Sequence, residues 1–199
     1  MTMRASKSFR RWLTRTACAL GLAWSVLHAG AQELQHGRVP PADLGGELSL
    51  VDQHGAPFTL SRLAGAPVLL FFGFTHCGST CPIALGQARQ VLQTLEPAER
   101  ANVVFVTLDP LNDGPAQMRE FVQRIDPRIV GLTGSPLQIE RAAERYGVGV
   151  RQVQGGVEHS SMWYLLDGHA RVRRVYAHST PAHELVADVR RLASMKGAR

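Results

Sequence analysis

Apolar positions along the chain fall into runs whose period changes twice. From Val68 to Phe74 nearly every residue is apolar or aromatic, as expected of a strand covered on both faces, and Val103 to Leu108 repeats the pattern. Between them Ile83, Leu85, Ala88, Val91, Leu92 and Leu95 recur at helical spacing behind Pro82. A first helical turn accepts proline because the missing N–H would have no partner there. A second helix opens at Pro115 and carries Met118, Phe121, Val122 and Ile125. A third follows Gly134-Ser135-Pro136 with Leu137, Ile139, Ala142, Ala143 and Tyr146, and Ser135 is its expected N-cap.

In the last third the period returns to that of strands. Met162 to Leu166 and Arg171 to Tyr176 flank Asp167-Gly168, a hairpin turn signal, and a closing helix runs from about Pro181 to Leu192. Near the front, Leu48 to Val51 and Pro57 to Leu60 flank the polar turn Asp52-Gln53-His54-Gly55, which predicts a further hairpin. The resulting order is strand, helix, strand, helix, helix, then hairpin and helix. It predicts an α/β, thioredoxin-like fold: a mixed central sheet flanked by helices, with an N-terminal β-hairpin extension. Neither repeats nor low-complexity tracts interrupt it.

The N-terminus has a different composition. Residues 1–31 begin with Arg4, Lys7, Arg10, Arg11 and Arg15, continue through the apolar stretch Ala17 to Leu27, and end on Ala29-Gly30-Ala31, a small-residue cleavage pattern. This predicts an export leader cut after Ala31, and hence a periplasmic location or one on the outer face of the membrane. An uncleaved anchor is the alternative, although the apolar stretch falls short of the ~20 residues that span a bilayer. Phe9 before Arg10-Arg11 weakens a twin-arginine reading, and Arg15-Thr16-Ala17 before Cys18 lacks the apolar position of a lipoprotein signal. Residues 32–46, polar with Pro40-Pro41, read as an extended tether, and residues 47–199 as the folded domain.

The leader also changes the reading of charge. The formal net charge is +6, but the five basic residues of the leader, which has no acid, leave +1 on the remainder. A nearly neutral domain offers no broad basic surface, which argues against nucleic-acid binding. With Cys18 in the leader, the domain keeps only Cys77 and Cys81, too few for a disulfide scaffold.

These two cysteines lie in Gly73-Phe74-Thr75-His76-Cys77-Gly78-Ser79-Thr80-Cys81-Pro82, where a buried strand gives way to a helix. The N–H groups and dipole at a helix N-terminus favour thiolates, so both sulfurs are expected to have lowered pKa values. Their spacing allows a disulfide and equally a soft metal such as Cu(I), and does not choose between them. His159, directly before the Met162 strand, is one of eight histidines and by itself no more than a surface or core residue.

Together, Thr75-His76-Cys77 with Cys81-Pro82, Leu108-Asp109-Pro110 followed by Asp113, and a histidine shortly before Met162-Trp163-Tyr164-Leu165-Leu166-Asp167 resemble SCO/SenC proteins over residues 45–195. The segment Gly78-Ser79-Thr80 lacks the Pro-Asp often found between the cysteines in that family. The resemblance implies a thioredoxin-fold copper metallochaperone, rather than an enzyme, that helps to assemble the binuclear copper centre of cytochrome c oxidase. By position, it implies Cys77, Cys81 and His159 as ligands of one copper, Cu(I) or Cu(II). The implied partners are a copper-receiving oxidase subunit and a second copper carrier, and the chain is expected to sit near the membrane without spanning it.

Two thiolates and one imidazole form a small, soft, three-coordinate set suited to copper, whereas a closed structural zinc site would want a fourth ligand. His76 is an outer-shell candidate, and Asp109 and Asp113 either face the same rim or serve as turn and helix-start residues. Met162 is expected in the core, and His178 and His183 in solvent. The competing reading is an exported thiol-disulfide oxidoreductase in which Cys77 and Cys81 cycle without metal. A peroxidase would need a single dominant thiolate with peroxide-stabilising partners, which the sequence does not display.

Overall fold

A computed structural model of the chain describes residues 34–195 apart from 79, 98, 154 and 155. The expected leader, with Cys18 and the cleavage site at Ala31, lies outside the described residues, as do Gln32 and Glu33 of the expected tether.

The elements run β1 (Ser49–Asp52), β2 (Pro57–Thr59), β3 (Val68–Gly73), α1 (Thr80–Thr94), β4 (Asn102–Thr107), α2 (Pro115–Ile125), β5 (Val130–Thr133), α3 (Pro136–Arg145), β6 (Val150–Val153), β7 (Gly156–His159), β8 (Met162–Leu166), β9 (Val172–Ala177) and α4 (Ala182–Ser194). Seven strands form one sheet in the order β2-β1-β5-β4-β3-β8-β9. At its centre β3 pairs in parallel with β4 and antiparallel with β8, and β4 pairs in parallel with β5. The parallel β3-α1-β4 unit with an antiparallel β8-β9 hairpin beside it is the expected thioredoxin-like arrangement, and the β1-β2 hairpin extends the opposite edge.

Period-2 side-chain direction explains why β3 reads as continuously apolar. Leu69 and Phe71 point into a core beneath α1, α2 and α4, while Val68, Leu70 and Phe72 point into a second core beneath α3. All six residues of the strand are buried. Ser135 caps α3 as expected: its Oγ accepts from Gln138 N, and the Gln138 side chain reaches back to Ser135 N in a capping box.

The structure departs from the sequence-based order in two places. Strand β5, absent from that order, separates α2 from α3. Its four residues Val-Gly-Leu-Thr carry no alternation, and a Cβ at Gly131 would stand 3.2 Å from Val122 Cγ1 and 3.3 Å from Met118 Cε, so helix packing rather than strand propensity sets that residue. A small separate hairpin, β6-β7, precedes β8, and His159 ends β7.

The segment expected to be an extended tether is, from Leu34 onward, laid on the domain. Leu34 is buried, Arg38 exchanges both backbone hydrogen bonds with Val175, and Gly45 bridges Arg171. Asp188 of α4, fully buried, accepts from the N–H groups of Gln35 and His36 and from the Tyr176 hydroxyl. These partners of Gln35, His36, Arg38 and Gly45 all lie more than 120 positions further along the chain, which local composition does not reveal.

Candidate metal centre

The β3-α1 connection carries the two cysteines at the carboxyl ends of the parallel strands, where α/β sheets place their reactive groups. Cys77 is half-buried in the turn before the helix, and its N–H donates to Phe74 O at 3.2 Å. Cys81 lies in the first turn of α1, fully buried, and its N–H points at Cys77 Sγ at 3.4 Å. No disulfide joins them. A Cβ at Gly73 would stand 2.5 Å from Cys81 Sγ, so the absent side chain of this glycine is the space the sulfur occupies.

The expected lowering of both thiol pKa values is overturned at Cys81. Burial pushes this thiol up to about 12; the Phe74 backbone hydrogen bond opposes the rise, while the neighbouring Cys77 sulfur and the Asp113 carboxylate add to it. Desolvation exceeds the help of the helix N-terminus because the sulfur sits below the first turn, inside the core.

Asp113 is the residue whose role sequence reasoning left most open. Its carboxylate is fully buried and accepts from Thr75 N at 2.9 Å, from Thr75 Oγ1 and from Thr107 Oγ1 at 2.6 Å. It thereby ties the turn before Cys77 to the end of β4. Asp109, in contrast, is a turn residue: its N–H donates to Thr107 Oγ1 and its Oδ2 accepts from Asn112 Nδ2. The signal that could have separated them is the pair of threonines, Thr75 and Thr107, each ending or following a buried strand. His76 is largely exposed, with Nδ1 3.1 Å from Thr75 Oγ1 and 3.6 Å from Asp113 Oδ1.

His159 reaches the same end of the sheet from β7. Its ring packs edge-on against Phe74 at a centroid distance of 5.6 Å. Nδ1 lies 3.1 Å from the Ser160 carbonyl, which can only accept, so Nδ1 carries the proton and Nε2 keeps its lone pair. Burial lowers the His159 pKa, with the Ser160 hydrogen bond opposing, so the imidazole is held neutral, the form that binds a metal. Among the described residues, no group of three or more His, Cys, Asp or Glu side chains is already gathered at metal-holding distance. The structure thus brings Cys77 and Cys81 together and brings His159 to Phe74, three residues before Cys77, without closing the set. Met162 is half-buried against the α3-side core, His183 is exposed, and His178 is half-buried rather than solvated.

A thioredoxin-like domain with two thiols on its strand-to-helix turn and a neutral histidine at the same sheet end defines a soft-metal or redox protein. Residues 37–194 match the SCO1/SenC family, and the chain belongs to it. The mouse protein SCO2 homolog, mitochondrial, is 34% identical over 197 residues, covering 91% of this chain and 77% of that protein. The structure of Bradyrhizobium japonicum ScoI with copper bound superposes with a TM-score of 0.67 at 32% identity, covering 75% of this chain and 99% of that one. Arabidopsis thaliana ScoI with copper bound gives a TM-score of 0.70 at 28% identity, covering 76% and 99%. No helix among the described residues is long and apolar enough to cross a membrane.

Proposed function

We propose that this protein is an exported copper carrier in which Cys77, Cys81 and His159 hold one copper ion and pass it, by stepwise exchange of ligands, to the binuclear copper centre of a cytochrome c oxidase-type subunit. The observation that carries this reading is the convergence on one sheet end of two thiols and a histidine held neutral with a ring nitrogen lone pair available. The copper bound by the ScoI relatives supports it. A three-ligand set suits a carrier, because an open site gives up its metal more readily than a closed four-ligand one. Copper must displace the Cys81 proton, so loading is coupled to proton release.

A second reading, thiol-disulfide exchange, is favoured by the asymmetry of the pair: Cys77 is half-exposed and Cys81 fully buried, the arrangement of an attacking and a resolving thiol. Copper titration of the reduced full chain, with Cys18→Ser as background, separates the two. One tight copper per chain, lost or much weakened by each of Cys77→Ala, Cys81→Ala and His159→Ala, is the expected result. Undiminished copper affinity in His159→Ala would end the three-ligand proposal, and the absence of specific copper alongside a readily cycling disulfide would favour the oxidoreductase.

A further inference from the structure

Beside the cysteine turn, the Leu108–Leu111 loop, helix α3 and the start of β6 enclose an open groove of about 510 Å³. Such a volume is in the range of binding clefts. Its floor is apolar, built from Leu108, Ile139, Ala143 and Val148, all buried. Its rim holds two of the large hydrophobic side chains that remain in solvent, Leu111 at 83% exposure and Val150 at 44%. Leu111 has no core to fill, and a fully exposed leucine at the lip of an apolar cleft is the arrangement of a contact residue.

The charges around the groove have one sign. Asp109, Glu140 and Glu144 line it, and none of its lining residues is basic. Helix α3 sorts its charges by face: Glu140 and Glu144, one turn apart, turn to the groove, while Arg141 and Arg145 line the opposite side beside Ser49 and Leu50. Two like charges at this spacing repel each other, and neither glutamate forms an ion pair among the described residues. Residues 32–199 carry a formal net charge of only +1, so this acidic patch is a local feature.

The groove is continuous with the candidate metal centre. Val150 on its rim is the β-ladder partner of His159, and the Leu108 N–H on its floor donates to Gly73 O, at the strand end that leads into Thr75 and Cys77. A protein seated in the groove therefore lies against the backbone that presents both the histidine and the cysteines.

We propose that this groove is the docking site for the copper-exchanging partner protein, which inserts an apolar side chain flanked by lysine or arginine from the surface next to its own metal ligands. The apolar floor supplies affinity, and the three carboxylates orient the basic flank, so that docking places donor and acceptor ligands side by side. The inference rests on the copper-transfer reading above and adds the surface and partner chemistry to it.

The test compares the wild-type full chain with Glu140→Lys/Glu144→Lys and with Leu111→Asp, all exposed positions outside the proposed ligand set. The probe is the copper-free soluble domain of an oxidase subunit that carries a binuclear copper centre. Both variants are expected to bind copper as the wild type does, while the second-order rate of copper transfer to the probe falls at least tenfold and the salt dependence of the wild-type rate disappears in the double variant. Transfer rates within twofold of wild type would overturn the proposal. So would wild-type self-association that the same variants abolish, since the occupant would then be a second copy of this chain. Should the wild type hold no copper, the copper-transfer reading fails by itself, and titration of the copper-free chain with the same probe decides the groove: binding weakened tenfold by the variants upholds it, and equal or absent binding overturns it.

Discussion

The two thiols differ more than their spacing suggests. Cys77 faces the turn and Cys81 faces the core, and burial, with help from Cys77 and Asp113, holds Cys81 protonated up to about pH 12. At pH 8, alkylation of the native reduced chain is expected to modify Cys77 at least tenfold faster than Cys81, as read by mass spectrometry of the labelled peptides; equal rates would contradict the burial account. The same shift carries a stability signature. The group titrates near 9.0 when unperturbed and near 12 when folded, so between those values the native state holds a proton that the unfolded state has lost. Stability from this group is fully present below pH 9 and declines as pH rises towards 12. His159 shifts the opposite way: its lowered pKa keeps the ring neutral at mildly acidic pH.

At the scale of elements, the β3-α1 connection is held from outside itself. Asp113, ahead of α2, receives the backbone and hydroxyl of Thr75 and the hydroxyl of Thr107, closing the gap between two parallel strand ends. Asp113→Ala leaves those donors buried without an acceptor, which costs about 2–3 kcal/mol. Chemical denaturation should register that loss, and copper affinity should fall with it because the turn before Cys77 is no longer pinned. A variant that kept wild-type stability would show that water replaces the carboxylate. That Asp113 does more than begin a helix was not legible from the motif Asp109-Pro110 followed by Asp113, because its partner Thr75 lies 38 residues earlier in the chain. The strands and helices themselves were legible wherever a period ran for six residues or more. Of the short strands, β1 and β2 were legible from the polar turn between them, whereas β5, β6 and β7, four residues each, carried too little pattern to read.

Across the whole molecule, the segment from Leu34 to Gly46 acts as a strap that joins the β8-β9 edge to α4 and α3. Besides the bonds of Asp188 and Arg38, the Leu34 carbonyl accepts from Arg174 and the Gly46 carbonyl from Tyr146. Gly37, at a φ of 73°, lies so close over Tyr176 that a Cβ would stand 2.6 Å from the ring. Removing 34–46 forfeits at least three buried or part-buried hydrogen bonds at about 1 kcal/mol each, so the melting temperature is expected to drop by about 6–12 °C. An unchanged melting temperature would show that the strap contributes nothing to the fold. Composition alone presented this stretch as a polar linker, since its few apolar anchors and its backbone bonds are made to residues far along the chain.

The sequence by itself determined the α/β layering, the buried β3 and β4, the Pro-opened helices and the pair of thiols at a strand-to-helix turn, because each rests on short-range periodicity or on adjacency. Only the tertiary structure decided that Cys81 faces the core and holds its proton, that Asp113 reaches back to Thr75, that His159 rides on a separate hairpin against Phe74, and that an acidic groove opens beside it. Those properties depend on which distant side chains share a low-dielectric interior or a common rim, and no local pattern encodes that.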